Sequence, residues 1–102
     1  GTHVRFLVDT GASDVALTEE DARRAGIDLS TLSYTVAYQT ANGIIHAARV
    51  KLDKVTVGGI TLRDVDASVS RGNGLGTSLL GMSFLGRLGS VEVWGERLVL
   101  RQ

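Results

Sequence analysis

The chain has 102 residues, near the commonest size of one domain, so residues 1–102 are expected to fold as a single domain with a modest core. Apolar residues make up 43% and charged residues 22%, which is typical of a globular protein and argues against disorder. Eleven basic residues balance eleven acidic ones and cysteine is absent, so nothing points to a nucleic-acid partner, and disulfides, zinc–thiolate sites and thiol nucleophiles are excluded.

The first predicted element is a strand that leads into an acidic turn. His3–Val8 alternates between apolar and other residues, which is the pattern of a half-buried strand. The strand ends in Asp9-Thr10-Gly11-Ala12-Ser13, and the short apolar stretch Val15–Leu17 follows.

A short helix is predicted next. Thr18 is a candidate N-cap, Asp21 occupies the capping-box position, and Gly26 is a natural stop. The helix should therefore have roughly two turns.

The middle of the chain is predicted to be two β-hairpins. Val36–Thr40 and Ile44–Leu52 flank Asn42-Gly43, a strong signal for a tight hairpin turn. A second hairpin joins Val55–Val57 to Ile60–Leu62 through two glycines.

The last third continues the β pattern. A strand over residues 65–69 precedes a glycine-rich loop, Arg71–Thr77, and then the short apolar run Leu79-Leu80-Gly81. Ser83–Leu88 is predicted as a second small helix, and residues 91–100 as a terminal hairpin. The prediction is a mostly-β domain with one or two short helices.

The strongest chemical signal is Asp9-Thr10-Gly11 at the end of the first strand. A carboxylate that activates water needs apolar surroundings, backbone N–H groups that orient it, and little bulk beside it. Gly11 can supply the last two, and the Thr10 hydroxyl can lock the turn. The alternative is that Asp9 is simply a turn-forming acid after a strand.

On these residues the chain resembles the retropepsin-like aspartic proteases, the family of the retroviral proteases and of bacterial single-domain relatives. Two further elements carry the resemblance. Leu79-Leu80-Gly81 followed by Met82–Leu88 matches the late apolar-apolar-Gly segment and helix, and Tyr38–Ile45 occupies the place of the flap hairpin. The resemblance implies a closed β-barrel lobe of the acid-protease type.

The resemblance also implies the site and the partners. Asp9, Thr10 and Gly11 would form the catalytic turn of an aspartic endopeptidase that needs no metal or cofactor. Because the chain has one such motif, the second aspartate would come from a second copy, so a homodimer acting on a peptide or protein is expected. The substrate-binding residues would be Ala12, Ser13, Tyr38, Gln39, Thr40, Ala41, Asn42, Gly43, Ile44, Thr77, Ser78, Leu79, Leu80 and Gly81.

Two departures from the family pattern stand out. The family usually has a strand ahead of the one that carries Asp9, so a leading strand and an upstream anchor are expected to be missing from residues 1–102. Ser13 stands where retroviral enzymes commonly carry an acid that contacts substrate. Because bacterial relatives are often tethered to the inner membrane, the full-length protein could be membrane-anchored or periplasmic.

Several alternatives are weaker. Gly72–Thr77 lacks the spacing of a phosphate loop, and a sugar-kinase-type fold would need a much longer chain. His3 and His46 are isolated, so a metal site is not expected. Asp64 and Asp66 are expected to face solvent. They would be candidates for the second catalytic acid only if the protein does not act as a dimer. A module that keeps the fold but binds peptides or dimerises without cleaving is the main alternative function.

Overall fold

Strands dominate the computed structural model, which describes residues 3–40, 43–94 and 97–101. The strands are β1 (Phe6–Val8), β2 (Val15–Thr18), β3 (Val36–Thr40), β4 (Gly43–Val57), β5 (Ile60–Ser70), β6 (Ser78–Leu80), β7 (Ser90–Trp94) and β8 (Arg97–Arg101). The helices are α1 (Glu19–Arg24), α2 (Met82–Leu85) and a single 3₁₀ turn (Leu29–Thr31).

Six strands form one sheet in the order β1-β6-β2-β5-β4-β3, and β7 and β8 form a separate two-stranded sheet. The pairs β1–β6 and β2–β5 are parallel, whereas β2–β6, β3–β4 and β4–β5 are antiparallel. The six-stranded sheet curls into a half-barrel, so the expected barrel lobe takes the form of a curled sheet.

The core fills the concave side of this sheet. Val15 and Leu17 of β2 lie in register with Ala67 and Val69 of β5, and all four are buried. Helix α2 covers them with Phe84, the largest fully buried side chain among those that the structure describes. Burial of this apolar set contributes most of the favourable free energy of folding.

Helix α1 begins as its sequence predicts. The Thr18 Oγ1 accepts a hydrogen bond from the Asp21 N–H at 3.1 Å, which satisfies one of the open amides of the first turn. Just beyond the helix, Gly26 adopts a φ of +92°, a left-handed conformation that favours glycine.

The hairpin pairings are confirmed, with differences in extent. β4 already begins at Gly43, and the segments predicted as Ile60–Leu62 and 65–69 form the single strand β5. Residues predicted as the separate segments Ile44–Leu52 and Val55–Val57 belong to the single long strand β4. The partner strand carries Asp64 at a φ of +54°, and the ladder pairs are interrupted there but resume with Lys54 and Arg63. The unusual backbone conformation of Asp64 therefore interrupts the ladder without ending the hairpin.

The second helix is shorter than predicted. It covers Met82–Leu85, one residue earlier at its start and three residues earlier at its end than Ser83–Leu88. The terminal hairpin is confirmed as β7 and β8, and its predicted turn, Gly95-Glu96, lies outside the described residues. Neither helix in the described ranges has the length and apolarity that crossing a membrane requires.

Candidate active site

The backbone of β6 holds Asp9 at the end of β1. Val8 is the partner of Leu80 in the parallel ladder, and the Asp9 N–H continues it by donating to the Leu80 carbonyl at 3.1 Å. The half-buried Asp9 thus sits where the chain leaves the sheet. Its backbone is fixed by a neighbouring strand rather than by a loop.

The turn after Asp9 orients its carboxylate. The Gly11 N–H donates to Asp9 Oδ1 at 2.9 Å, and the Ala12 N–H donates to the Asp9 carbonyl at 3.1 Å. A Cβ on Gly11 would lie 3.1 Å from the same Oδ1, so glycine gives the carboxylate room over the turn. Within the described part of the chain Oδ2 of Asp9 accepts no hydrogen bond. One carboxylate oxygen is therefore held by the backbone of the turn.

Thr10 does not close this turn within the subunit. The residue is exposed, and its hydroxyl makes no hydrogen bond to any residue in the ranges that the structure describes. The expectation that this hydroxyl locks the turn is wrong for a single chain, because the backbone bonds from Gly11 and Ala12 do that.

The late glycine segment packs directly behind the turn. The Ala12 carbonyl accepts from the Met82 N–H at 2.8 Å, and the Ser13 carbonyl accepts from the Ser83 N–H at 2.8 Å. A Cβ on Gly81 would lie 2.0 Å from the Asp14 carbonyl oxygen, closer than any real contact. The start of α2 therefore clamps residues 12–14 through the backbone, and only glycine fits at position 81.

Two serines complete this support, and sequence reasoning did not assign either one to it. The Ser83 hydroxyl accepts from the Val15 N–H at 2.9 Å and donates to the Asp66 carbonyl at 2.6 Å. The Ser78 hydroxyl accepts from the Thr18 N–H at 3.1 Å and donates to Asp21 Oδ2 at 2.6 Å. A serine after a glycine-rich loop carries no special signal, so only the fold could identify these contacts.

The segment 77–81 has one set of residues buried inside the subunit and another set that is accessible at its surface. Ser78 and Leu80 are buried inside the subunit, and Gly81 is buried against the turn. Leu79 is half-buried and pairs with Leu7, whose side chain is 58% exposed. Of this predicted substrate-binding segment, Thr77 and Leu79 are therefore the residues with side chains open to a ligand.

The predicted flap is the end of the β3–β4 hairpin. Tyr38 pairs with Ile45, Gln39 with Ile44, and Thr40 with Gly43, whose φ is +113°. Ile44 is 62% exposed, which leaves an apolar side chain uncovered near the hairpin end. The predicted flap residues Ala41 and Asn42 lie outside the described residues.

One side-chain contact connects the flap to the catalytic turn. The Tyr38 hydroxyl lies 3.3 Å from Asp14 Oδ2, and Asp14 follows the Asp9–Ser13 turn directly. Burial raises the pKa of Tyr38, and the neighbouring Asp14 carboxylate raises that pKa further. The phenol therefore keeps its proton and acts as the donor.

A second polar cluster fixes the loop Arg71–Thr77. Glu19 accepts hydrogen bonds from the Tyr34 hydroxyl and the Gly72 N–H, both at 2.7 Å, and these bonds lower the Glu19 pKa. Burial, followed by the Glu19 bond and charge, raises the pKa of Tyr34 to about 12. The Arg71 guanidinium lies 5.7 Å from the centre of the Tyr34 ring. The loop is thus tied to α1 at its beginning.

The remaining candidate side chains lie apart. His3 and His46 are both exposed, and within the described residues no three His, Asp or Glu side chains are grouped as metal ligands would be. Asp64 and Asp66 are exposed as predicted, and Asp66 lies 3.5 Å from Lys51.

Comparisons with known proteins agree with this geometry. Residues 1–87 match the family model described as "gag-polyprotein putative aspartyl protease". A solved structure of a retropepsin-like aspartic protease from Rickettsia conorii is similar, with a TM-score of 0.80 and 43% identity over 95% of this chain and 78% of that chain.

Two curated relatives are uncharacterised proteins. One is encoded in the region 5′ of cobV in a Sinorhizobium species and is 45% identical over 99% of this chain, which covers 43% of that protein. The other, from Rickettsia prowazekii, is 45% identical over 95% of this chain, which covers 41% of that protein. The chain thus spans about two fifths of the length of these relatives. Together, the family match, the solved structure and the geometry around Asp9 show that the chain belongs to the retropepsin-like aspartyl protease family.

Proposed function

We propose that this chain is one subunit of a homodimeric aspartic endopeptidase in which each subunit supplies one catalytic carboxyl group, that of Asp9. The observation that carries the proposal is the position of this carboxylate. One oxygen is oriented by the Gly11 N–H, and the other accepts no hydrogen bond within the described residues. The turn beneath it is clamped through the backbone by Gly81–Ser83. Such rigid placement is what a group needs to activate a water molecule.

The chemistry needs two carboxyl groups that share a proton. Two carboxylates in contact cannot both ionise readily, so one remains protonated. The ionised one takes a proton from a water molecule, whose oxygen attacks the peptide carbonyl carbon, while the protonated one donates to the developing oxyanion. When the intermediate collapses, the C–N bond breaks and the leaving nitrogen takes up a proton. The peptide is hydrolysed without a covalent enzyme intermediate.

The homodimer follows from the count of motifs. Residues 1–102 contain one Asp-Thr-Gly, whereas the proposed chemistry needs two carboxyl groups. A second copy related by a twofold axis would present its own Asp9 to the first. The exposed position of Thr10 and Leu7 beside Asp9 is compatible with such a contact.

The substrate in this proposal is an extended peptide held between the flap and the floor of the half-barrel. Extended peptides bind to proteins by adding a strand, with main-chain hydrogen bonds and pockets for alternate side chains. Ala12 and Ser13 would lie on the floor, and Leu79 and Thr77 on the wall. Residues 38–44 would cover the peptide, while Ser78, Leu80 and Gly81 would support the wall from inside.

The test is cleavage of an unstructured protein such as casein by the unmodified chain, by Asp9→Asn and by Asp66→Asn, with the dimer fraction followed by light scattering. Asp66→Asn is the matched control, because it makes the same chemical change at an exposed residue on β5. The proposal predicts cleavage by the unmodified chain and the control, rising with the dimer fraction, and none by Asp9→Asn. A well-formed dimer that cleaves nothing would contradict it and favour a binding module.

A further inference from the structure

The phenol of Tyr38 connects the flap strand β3 with the segment that follows the catalytic turn. Tyr38 lies in the middle of β3, and its hydroxyl is 3.3 Å from Oδ2 of Asp14, in the segment that joins the catalytic turn to β2. Ser68, a buried residue of β5, is near enough to the same phenol to lower its pKa. The hydrogen bond to Asp14 thus joins the flap strand to the segment after the catalytic turn.

The strand that carries Tyr38 has little other support from the sheet. β3 is the last strand in the order of the six-stranded sheet, and β4 is its ladder partner. β4 in turn pairs with β5 along Ala47–Val57, and the His46 carbonyl accepts from the Arg71 N–H at 2.8 Å, whereas Gly43–Ile45 lie beyond these bonds. The outer part of the hairpin therefore extends past the sheet that anchors its base. A side-chain contact from β3 to the catalytic segment acts where the backbone ladder does not.

At 3.3 Å the contact is longer than a usual O–H···O hydrogen bond, but its acceptor is a carboxylate. Burial and the negative charge of Asp14 both raise the pKa of Tyr38, whereas Arg49 and Ser68 lower it. The phenol consequently keeps its proton and donates to Asp14. Hydrogen bonds to a charged partner are stronger than those between neutral groups. The ring itself could pack equally well as phenylalanine, so the hydroxyl is the part that makes the connection.

We propose that Tyr38 is a positioning residue whose hydroxyl, through Asp14, fixes the flap hairpin relative to the catalytic turn and thereby sets the affinity for an extended peptide. The inference rests on the proposed endopeptidase function, because the flap matters only if a peptide lies beneath it. Asp14 accepts the bond without contacting the reacting atoms. Loss of the bond should weaken substrate binding much more than it slows the chemical step.

The kinetic test compares Tyr38→Phe, Asp14→Ala and the double variant with the unmodified protein on a casein-derived peptide. Each single variant should raise KM about tenfold with little change in kcat. The double variant should be no worse than either single one, because both remove the same bond. Thr56→Val is the control, since it deletes a hydroxyl that hydrogen-bonds Thr61 at the far end of the β4–β5 hairpin, and it should leave KM unchanged. Additive effects, or a fall in kcat at unchanged KM, would overturn the inference.

A second readout separates this inference from the proposed function. Amide hydrogen exchange of the unliganded dimer should become faster over residues 36–40 and 43–47 in Tyr38→Phe. Exchange near Thr56 and Thr61, at the far end of the β4–β5 hairpin, should not change. If neither the unmodified protein nor any variant cleaves but flap exchange accelerates, the positioning role of Tyr38 is supported and the endopeptidase proposal fails. If cleavage occurs and flap exchange is unchanged in Tyr38→Phe, the positioning role of Tyr38 is wrong.

Discussion

Gly81 and Asp14 touch through their backbones, so that a Cβ on Gly81 would lie 2.0 Å from the Asp14 carbonyl oxygen. The same Cβ would lie 2.7 Å from the Ala12 carbonyl oxygen. Both oxygens belong to the segment that follows Asp9, and both are backbone atoms that cannot move aside as a flexible side chain could. The position of the Asp9–Ser13 turn thus depends on the absence of a side chain at residue 81, which is far from the turn in the sequence.

Gly81→Ala should therefore destabilise the protein and displace the turn. We expect a loss of about 3 kcal/mol in the free energy of unfolding, because the overpacking is against backbone. Denaturant unfolding measures this loss. Gly59→Ala is the control, because no atom lies within 4 Å of the position that its new methyl group would take, and its φ is ordinary. Equal stability of the two variants would show that the contact is not tight in solution.

Ser78→Ala should also lower the free energy of unfolding, by about 1–3 kcal/mol. The substitution removes the acceptor of the Thr18 N–H and the donor to Asp21 in a fully buried site, so both polar groups lose a partner. Urea unfolding provides the measurement. Ser33→Ala, at an exposed position, should change stability much less. A negligible loss for Ser78→Ala would mean that water replaces the hydroxyl.

Glu19 should make stability depend on pH in the acid range. Its hydrogen bonds from Tyr34 and Gly72 lower its pKa in the folded protein below the ordinary value of 4.5. The stabilisation is therefore fully present above that ordinary value and is lost as the pH falls through the lower, folded-state pKa. When unfolding is measured from neutral to acid pH, the free energy of unfolding should fall less in Glu19→Gln than in the unmodified chain. Glu20→Gln, at an exposed neighbouring residue, should lose as much stability in acid as the unmodified chain does.

Activity should fall on the alkaline side of its pH profile. The proposed mechanism needs one protonated and one ionised carboxyl group, and the pair becomes doubly ionised as the pH rises. The profile of kcat/KM against pH for casein hydrolysis measures this fall. A rate that continues to climb through alkaline pH would contradict a shared-proton mechanism.

The elements around the site were largely predictable because their signals are local. Thr18 caps α1, and β3 pairs with β4 from Thr40 and Gly43 onward, since capping and tight turns depend on the residues at the position itself. Alternation also predicted the first strand, although β1 covers only Phe6–Val8 of the predicted His3–Val8. A resemblance in type and order then placed Leu79–Gly81 behind the turn.

The long-range contacts were not predictable. Ser83 bridges Val15 and Asp66, and Tyr38 meets Asp14, because the strand order brings distant residues together. Nor did the sequence predict that Glu19 would accept hydrogen bonds from Tyr34 and from Gly72 in the loop. Pair contacts of this kind follow from topology and packing, which no local pattern encodes.

The central claim is that each subunit supplies one Asp9 to a shared site, and mixing tests it most directly. The unmodified chain is combined with Asp9→Asn at constant total concentration, and subunits are allowed to exchange before casein cleavage is measured. If a site needs both carboxyl groups, activity in an equal mixture should be about one quarter of that of the unmodified chain, because only dimers with two unmodified subunits cleave. Mixing with Asp66→Asn should leave activity unchanged. A fall to about one half, in proportion to the unmodified chain, would show that one subunit suffices and would contradict the account.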